Sequence, residues 1–143
     1  NRGNLLKPDI SAPGVGVLAA VAPPSNDNRK FDFYSGTSMA SPHIAGIAAL
    51  YVGVHPKWSP MAVKSAIMTT SARVKTADGK VSRDYFAQGA GNVRPDRMFN
   101  PGVIFDARDK DWLGFLEGAG FDTDTAVEPI DSSDYNAPSI AIG

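Results

Sequence analysis

The chain has 143 residues, 43% of them hydrophobic and 20% charged, with a formal net charge of -1 and no cysteine. That is the size and balance of one ordinary globular domain. It excludes a disulfide framework, a thiolate metal site and any global electrostatic pull toward nucleic acid or membrane, and no apolar run approaches the roughly 20 residues of a membrane span.

Charge is spread unevenly. Residues 1–110 carry fourteen basic and eight acidic side chains, whereas residues 111–143 carry seven acidic and no basic ones. The shift predicts a boundary near Lys110, and a solvated acidic linker would explain it equally well. The first residues show no methionine, basic n-region or apolar h-region, so no signal peptide is visible. Asn1-Arg2-Gly3-Asn4 is turn-like, and the chain is expected to be a piece of a longer protein.

In chain order, Lys7 to Gly14 reads as extended chain broken by turns, because Pro8 and Pro13 push the residues before them out of the helical region. Val15 to Val21 is a short apolar run that fits a buried strand of a parallel sheet. Pro23 to Asn28 is a loop by composition. Phe31-Asp32-Phe33-Tyr34 alternates as a brief strand leading into Ser35-Gly36. A helix follows over at least Pro42–Gly53, and residues 44–54 carry no charge. A helix apolar all round is expected to be buried on all sides. Local rules offer two starts: Ser41 as N-cap with Pro42 at N1, or a start near Ser38 with a kink at Pro42.

His55-Pro56-Lys57-Trp58 is a connector, and Ser59-Pro60 repeats the cap-plus-proline signal before a helix over Met61–Ser71. Residues 73–84 are polar and basic, with Asp78-Gly79 as a turn, and predict an exposed loop or hairpin. Gly89-Ala90-Gly91 is glycine-rich but lacks the Gly-Lys-Ser/Thr ending of a phosphate loop. Asp111 to Leu116 predicts one or two helical turns. The acidic segment Phe121–Asn136 resembles a linker, and residues 138–142 the first strand of a further unit.

Ser38 is the candidate nucleophile. A serine at a helix start is ordinarily a cap, but free N–H groups there also favour developing negative charge. An alkyl hydroxyl needs a base, most often histidine, and the chain offers only His43 and His55. His43, five residues on, lies well round the helix from Ser38 and is expected to pack or hydrogen-bond locally. His55 lies about 25 Å along the helix axis. A Ser–acid–His order fails because no Asp or Glu stands between Ser38 and His55. The remaining order puts the nucleophile last, and no histidine precedes Ser38.

Gly36-Thr37-Ser38-Met39-Ala40-Ser41-Pro42-His43-Ile44-Ala45-Gly46 resembles the nucleophile motif of the subtilisin-like serine proteases, the subtilases. Lys7-Pro8-Asp9-Ile10, Ala12-Pro13-Gly14 and His55 to Pro60 are similar to the segments around it in that family. Gly89 to Val93, Asn100-Pro101-Gly102 and Asp111 to Leu116 resemble the larger pyrolysin- and cucumisin-like members.

The resemblance implies an α/β fold, here the C-terminal portion of a catalytic domain with a mostly parallel sheet and helices on both faces. It implies residues 1–116 as that portion, and 117–143 as an acidic linker with the start of a fibronectin-III-like β-sandwich. It implies serine endopeptidase activity through an acyl-enzyme on Ser38, with Thr37 supporting the oxyanion site, and the acid, base and oxyanion asparagine upstream of this chain. The chain alone is expected to be inactive. Implied partners are polypeptide substrates and the upstream half of the domain, and the implied location is extracellular or cell envelope. No cofactor is expected; calcium in the acidic stretch Asp122–Asp134 is a lesser alternative that lacks a ligand-loop pattern. An apolar surface left bare predicts self-association. The alternatives are a non-catalytic interaction module of the same fold and an esterase-type hydrolase.

Overall fold

The computed structural model describes residues 5–138. Two short strands, β1 (Val17–Ala20) and β2 (Phe31–Tyr34), pair antiparallel with Val17 opposite Tyr34 and Ala20 opposite Phe31. The loop between them is closed by the Val21 N–H donating to the Lys30 carbonyl at 2.9 Å and by a hydrogen bond from the Tyr34 hydroxyl to Asn26. Four α-helices follow: α1 (Thr37–Val54), α2 (Pro60–Thr69), α3 (Tyr85–Gln88) and α4 (Asp109–Gly118).

The expected parallel sheet is not what the described residues form. Their one named sheet is the antiparallel pair, and the parallel pairing is a single bridge between Ser11 and Asn92. The extended segment around it is nevertheless held along one edge. The Ser11 N–H donates to Gly91 O, the Val93 N–H to Ser11 O and the Ala90 N–H to Asp9 O, at 2.9, 2.9 and 3.0 Å. A parallel ladder needs neighbouring strands joined by crossovers, and among the described residues this segment's backbone bonds run to the 90–93 stretch.

Of the two starts the sequence offered for α1, the earlier one, near Ser38 with Pro42 inside, is taken in place of the Ser41 cap. Gly36 is the N-cap and Pro42 lies inside the helix. The helix is also not buried all round: Ile47 and Tyr51 are its buried residues, while Leu50, Val52 and Val54 are more than half exposed. One face rests on α2 and the loops beyond it, where Ile47, Tyr51, Val63, Ala66, Ile67, Val93 and Met98 form the main core. The other faces have no cover from the described residues. β1 alternates between half-buried and exposed for the same reason.

α2 follows its sequence signals closely. The Ser59 hydroxyl accepts the Ala62 N–H at 3.0 Å and donates to Asp106, and Pro60 occupies the first helical position. Seven of the ten α2 residues are buried. Burial of a side chain such as Val63 or Ile67 is worth about 1.5–3 kcal/mol. Residues 73–84 form the expected exposed hairpin-like loop, with a bridge between Lys75 and Val81.

The acidic segment after α4 is laid along that helix. The Ile130 N–H donates to the Gly114 carbonyl at 3.0 Å. Gly114 and Gly118 leave the room for this: a methyl at Gly114 would stand 2.9 Å from Glu128 O, and one at Gly118 would overlap the Ile130 carbonyl. A 3-10 turn (Ser132–Asp134) then brings Tyr135 into a second cluster with Met61, Ala107, Trp112 and Phe115. Residues 1–4 and 139–143, which include most of the anticipated further strand, lie outside the described residues.

Candidate functional site

Ser38 is the second residue of α1 and is exposed. The Gly36 carbonyl accepts the Met39 and Ala40 N–H groups at 3.0 and 3.3 Å. This leaves the Thr37 and Ser38 N–H groups without an intrahelical acceptor. Those donors, added to the positive end of the helix, favour negative charge beside the Ser38 hydroxyl. Among the described residues that hydroxyl has no hydrogen-bond partner.

The turn before the helix is fixed from outside. The Gly36 N–H donates to the Gly14 carbonyl at 2.7 Å, and the Gly16 N–H donates to Ser35 Oγ at 3.0 Å. Gly36 has φ +153° and ψ 170°, a conformation that a side chain would disfavour. Sequence reasoning placed Gly36 in the nucleophile motif but missed Ser35 as a contributor. The Ser35-Gly36 pair is a turn signal, yet nothing local says which backbone group the serine will meet.

Thr37 and Ser38 sit on different sides of the helix start. Thr37 lines an open, mostly apolar groove of about 950 Å³, walled by the Pro8–Ala12 segment, α1 and α2. Ser38 lines a smaller recess of about 270 Å³ with Val17, Ala19, Met39, Pro42 and His43. The fold therefore brings His43 to the same recess as Ser38. The ring is already engaged, with Nδ1 lying 2.8 Å from the Met39 carbonyl. A carbonyl only accepts, so Nδ1 carries the proton in this pairing. Among the described residues no hydrogen bond joins His43 to Ser38.

His55 closes the far end of α1. Its ring stacks on Trp58 with centroids 4.1 Å apart, and Tyr51 and Phe99 extend the aromatic cluster. It is a packing residue remote from Ser38.

The groove holds one ionised cluster. Asp9 bonds to Lys64 and to Lys7, each at 2.8 Å. Partial burial pushes the Asp9 carboxyl upward, but the two ammonium groups outweigh it and hold its pKa below 3.8. Lys64 moves down as well, because burial disfavours its charge more than its one carboxylate partner restores it. The cluster ties the Pro8–Ala12 segment to α2. No group of three or more His, Cys, Asp or Glu side chains among the described residues is placed to hold a metal.

Residues 1–91, which hold β1, β2, α1, α2 and α3, match the model of the Subtilase family, Peptidase_S8. The chain is 44% identical over 128 residues to subtilisin-like protease SBT4.12 of Arabidopsis thaliana, covering 85% of this chain and 17% of that protein. It is 44% identical over 135 residues to subtilisin-like protease Glyma18g48580 of Glycine max, covering 83% and 17%. Against SBT3.5 of Arabidopsis thaliana it is 39% identical over 158 residues, covering 96% and 20%. Among solved structures it resembles the CspB protease of Clostridium perfringens, with TM-score 0.50 and 31% identity over 66% of this chain and 20% of that one. The chain thus spans 17–20% of the length of these curated relatives. With the family model matching through α1 and α2 and relatives 44% identical over most of its length, this chain belongs to the subtilase family.

Proposed function

We propose that the protein containing this chain is a serine endopeptidase and that Ser38 is its nucleophile. The observation that carries this reading is the placement of Ser38: an exposed hydroxyl on the second residue of a helix whose first N–H groups are unused. In the proposed reaction Ser38 Oγ attacks the peptide carbonyl carbon while a histidine outside this chain takes its proton. The carbonyl oxygen becomes an oxyanion beside the Ser38 N–H, with Thr37 in support. Collapse expels the amine, which receives the proton, and water then releases the acyl group from Ser38. His43 is engaged with the Met39 carbonyl and His55 is stacked on Trp58, so neither is assigned the base. The chemistry uses side chains and backbone alone.

In the same reading, residues 1–116 are the C-terminal part of the catalytic domain. The sheet completed by the rest of that domain is mostly parallel, with helices on both faces. The Asp9–Ala12 segment would lie in that sheet; its backbone bonds to Ala90, Gly91 and Val93 support this. Residues 117–143 lead into a following β-sandwich, substrates are polypeptides, and the site of action is extracellular or the cell envelope.

The test uses the full-length protein and its Ser38→Ala variant. The parent is expected to be labelled by a fluorophosphonate probe and to hydrolyse a peptide substrate. The variant should do neither above background, and the 143-residue chain alone should be inactive. A full-length protein that refuses the probe is the non-catalytic module of the alternative reading. Hydrolysis that survives Ser38→Ala removes the assignment.

A further inference from the structure

We propose that Gly14 and Ser35 are positioning residues for the nucleophile, a role that rests on the assignment of Ser38 above. Neither touches the Ser38 hydroxyl. Both act on the turn that aims it. Gly14 accepts the Gly36 N–H at 2.7 Å, and Ser35 Oγ accepts the Gly16 N–H at 3.0 Å. The two bonds run in opposite directions between the same two backbone stretches, so together they form a clamp across residues 14–16 and 35–36. Gly36 in turn accepts the Met39 and Ala40 N–H groups in the first turn of α1. The orientation of the helix start, and so of Ser38 Oγ and the Ser38 N–H, is inherited from the clamp.

Gly14 is required for space rather than for backbone freedom. It is not among the residues with positive φ, so an alanine could adopt its conformation. A methyl there would stand 2.8 Å from Gly36 O, 3.2 Å from Ala40 Cβ and 3.5 Å from Ala40 N. The first contact is with backbone, which cannot rotate away as a side-chain tip can. Gly14→Ala must therefore separate the two stretches by a few tenths of an ångström at the point where Gly36 hands the chain to α1. The chain before Gly14 is tied by the Ser11 bonds to Gly91 and Val93, so the displacement is expected to fall on the nucleophile turn. Ser35 is exposed and its loss creates no clash. Its removal frees the Gly16 N–H and loosens the same turn from the other side.

The full-length protein carries the test, with Gly14→Ala, Ser35→Ala, Ser35→Thr and Ser38→Ala compared on one peptide substrate. Misplacing a reacting group by part of an ångström to an ångström lowers turnover by roughly 10- to 100-fold. Gly14→Ala is expected to lower kcat about tenfold or more with KM changed less than twofold. Fluorophosphonate labelling should slow in parallel. Ser35→Ala is expected to lower kcat about threefold, and Ser35→Thr, which keeps the hydroxyl, should restore it. A folded Gly14→Ala protein with parental kcat, or a loss confined to KM, overturns the role of Gly14. If Gly14→Ala does not fold, the serine pair decides: parental kcat in Ser35→Ala, or no rescue by Ser35→Thr, overturns the proposal. Hydrolysis that survives Ser38→Ala defeats the parent assignment instead, and the two failures are thereby told apart.

Discussion

Asp9 shows how one residue joins distant parts of this chain. It bonds to Lys64 on α2, which follows it by 55 positions. The carboxyl is held below 3.8 because the charged form gains two ammonium partners despite burial. A depressed carboxyl contributes stability that is complete above the unfolded pKa and is lost as pH falls through the folded one. The expected outcome is therefore an acid limb in which stability declines below about pH 3.8. Asp9→Asn should be less stable at neutral pH and show a shallower decline below that point. Urea midpoints of the two proteins across pH 2–7 check this, and parallel acid limbs would contradict the assigned cause.

At the scale of elements, α4 and the segment beyond it depend on missing side chains as much as on present ones. Gly114 and Gly118 let the Glu128–Ile130 backbone lie directly against the helix, and Ile130 bonds to a helix carbonyl there. Tyr135 then inserts between Trp112 and Phe115, with ring centroids 5.1 Å from each. Burial, with the Asp111 and Asp9 carboxylates nearby, pushes the Tyr135 phenol well above the ordinary tyrosine value, so it stays neutral at any working pH. Gly118→Ala would set a methyl into the Ile130 carbonyl. It is expected to release the 121–138 segment while α1 and α2 stay folded. Limited proteolysis should then cut in that segment at least tenfold faster than in the parent. An unchanged cleavage rate would show that the close approach at Gly118 does not hold the segment.

Over the whole molecule, apolar surface is distributed as if it awaited cover. Leu18, Phe31, Phe33, Leu50, Val52 and Val54 are each more than half exposed, and the large groove between α1 and the Pro8–Ala12 segment is mostly apolar. Exposed apolar surface on this scale favours association. The isolated 143-residue chain is expected to self-associate, and light scattering at micromolar concentration should give a mass above 15.1 kDa. A monodisperse monomer would show that the exposed faces do not attract one another.

Much of the local structure was legible in the residues. Ser59-Pro60 announced α2, the charge-free run from Ile44 to Val54 announced α1, and Asp78-Gly79 announced a turn, because caps, prolines and turn residues act on their immediate neighbours. The nucleophile motif and its family were legible for the same reason: they are contiguous. The start of α1 was not, since the Ser41-Pro42 cap signal is overridden by a glycine held from 22 residues earlier in the chain. Nor could the sequence tell that the apolar faces of α1 would be left uncovered here, because burial depends on what packs against a helix and not on the helix itself. The sequence by itself determined the bodies of α1 and α2, which hydroxyl is the candidate nucleophile and which family the motif resembles. Only the tertiary structure decided that Gly14 and Ser35 clamp its turn and that the acidic segment lies on α4, for these depend on groups meeting across long stretches of chain.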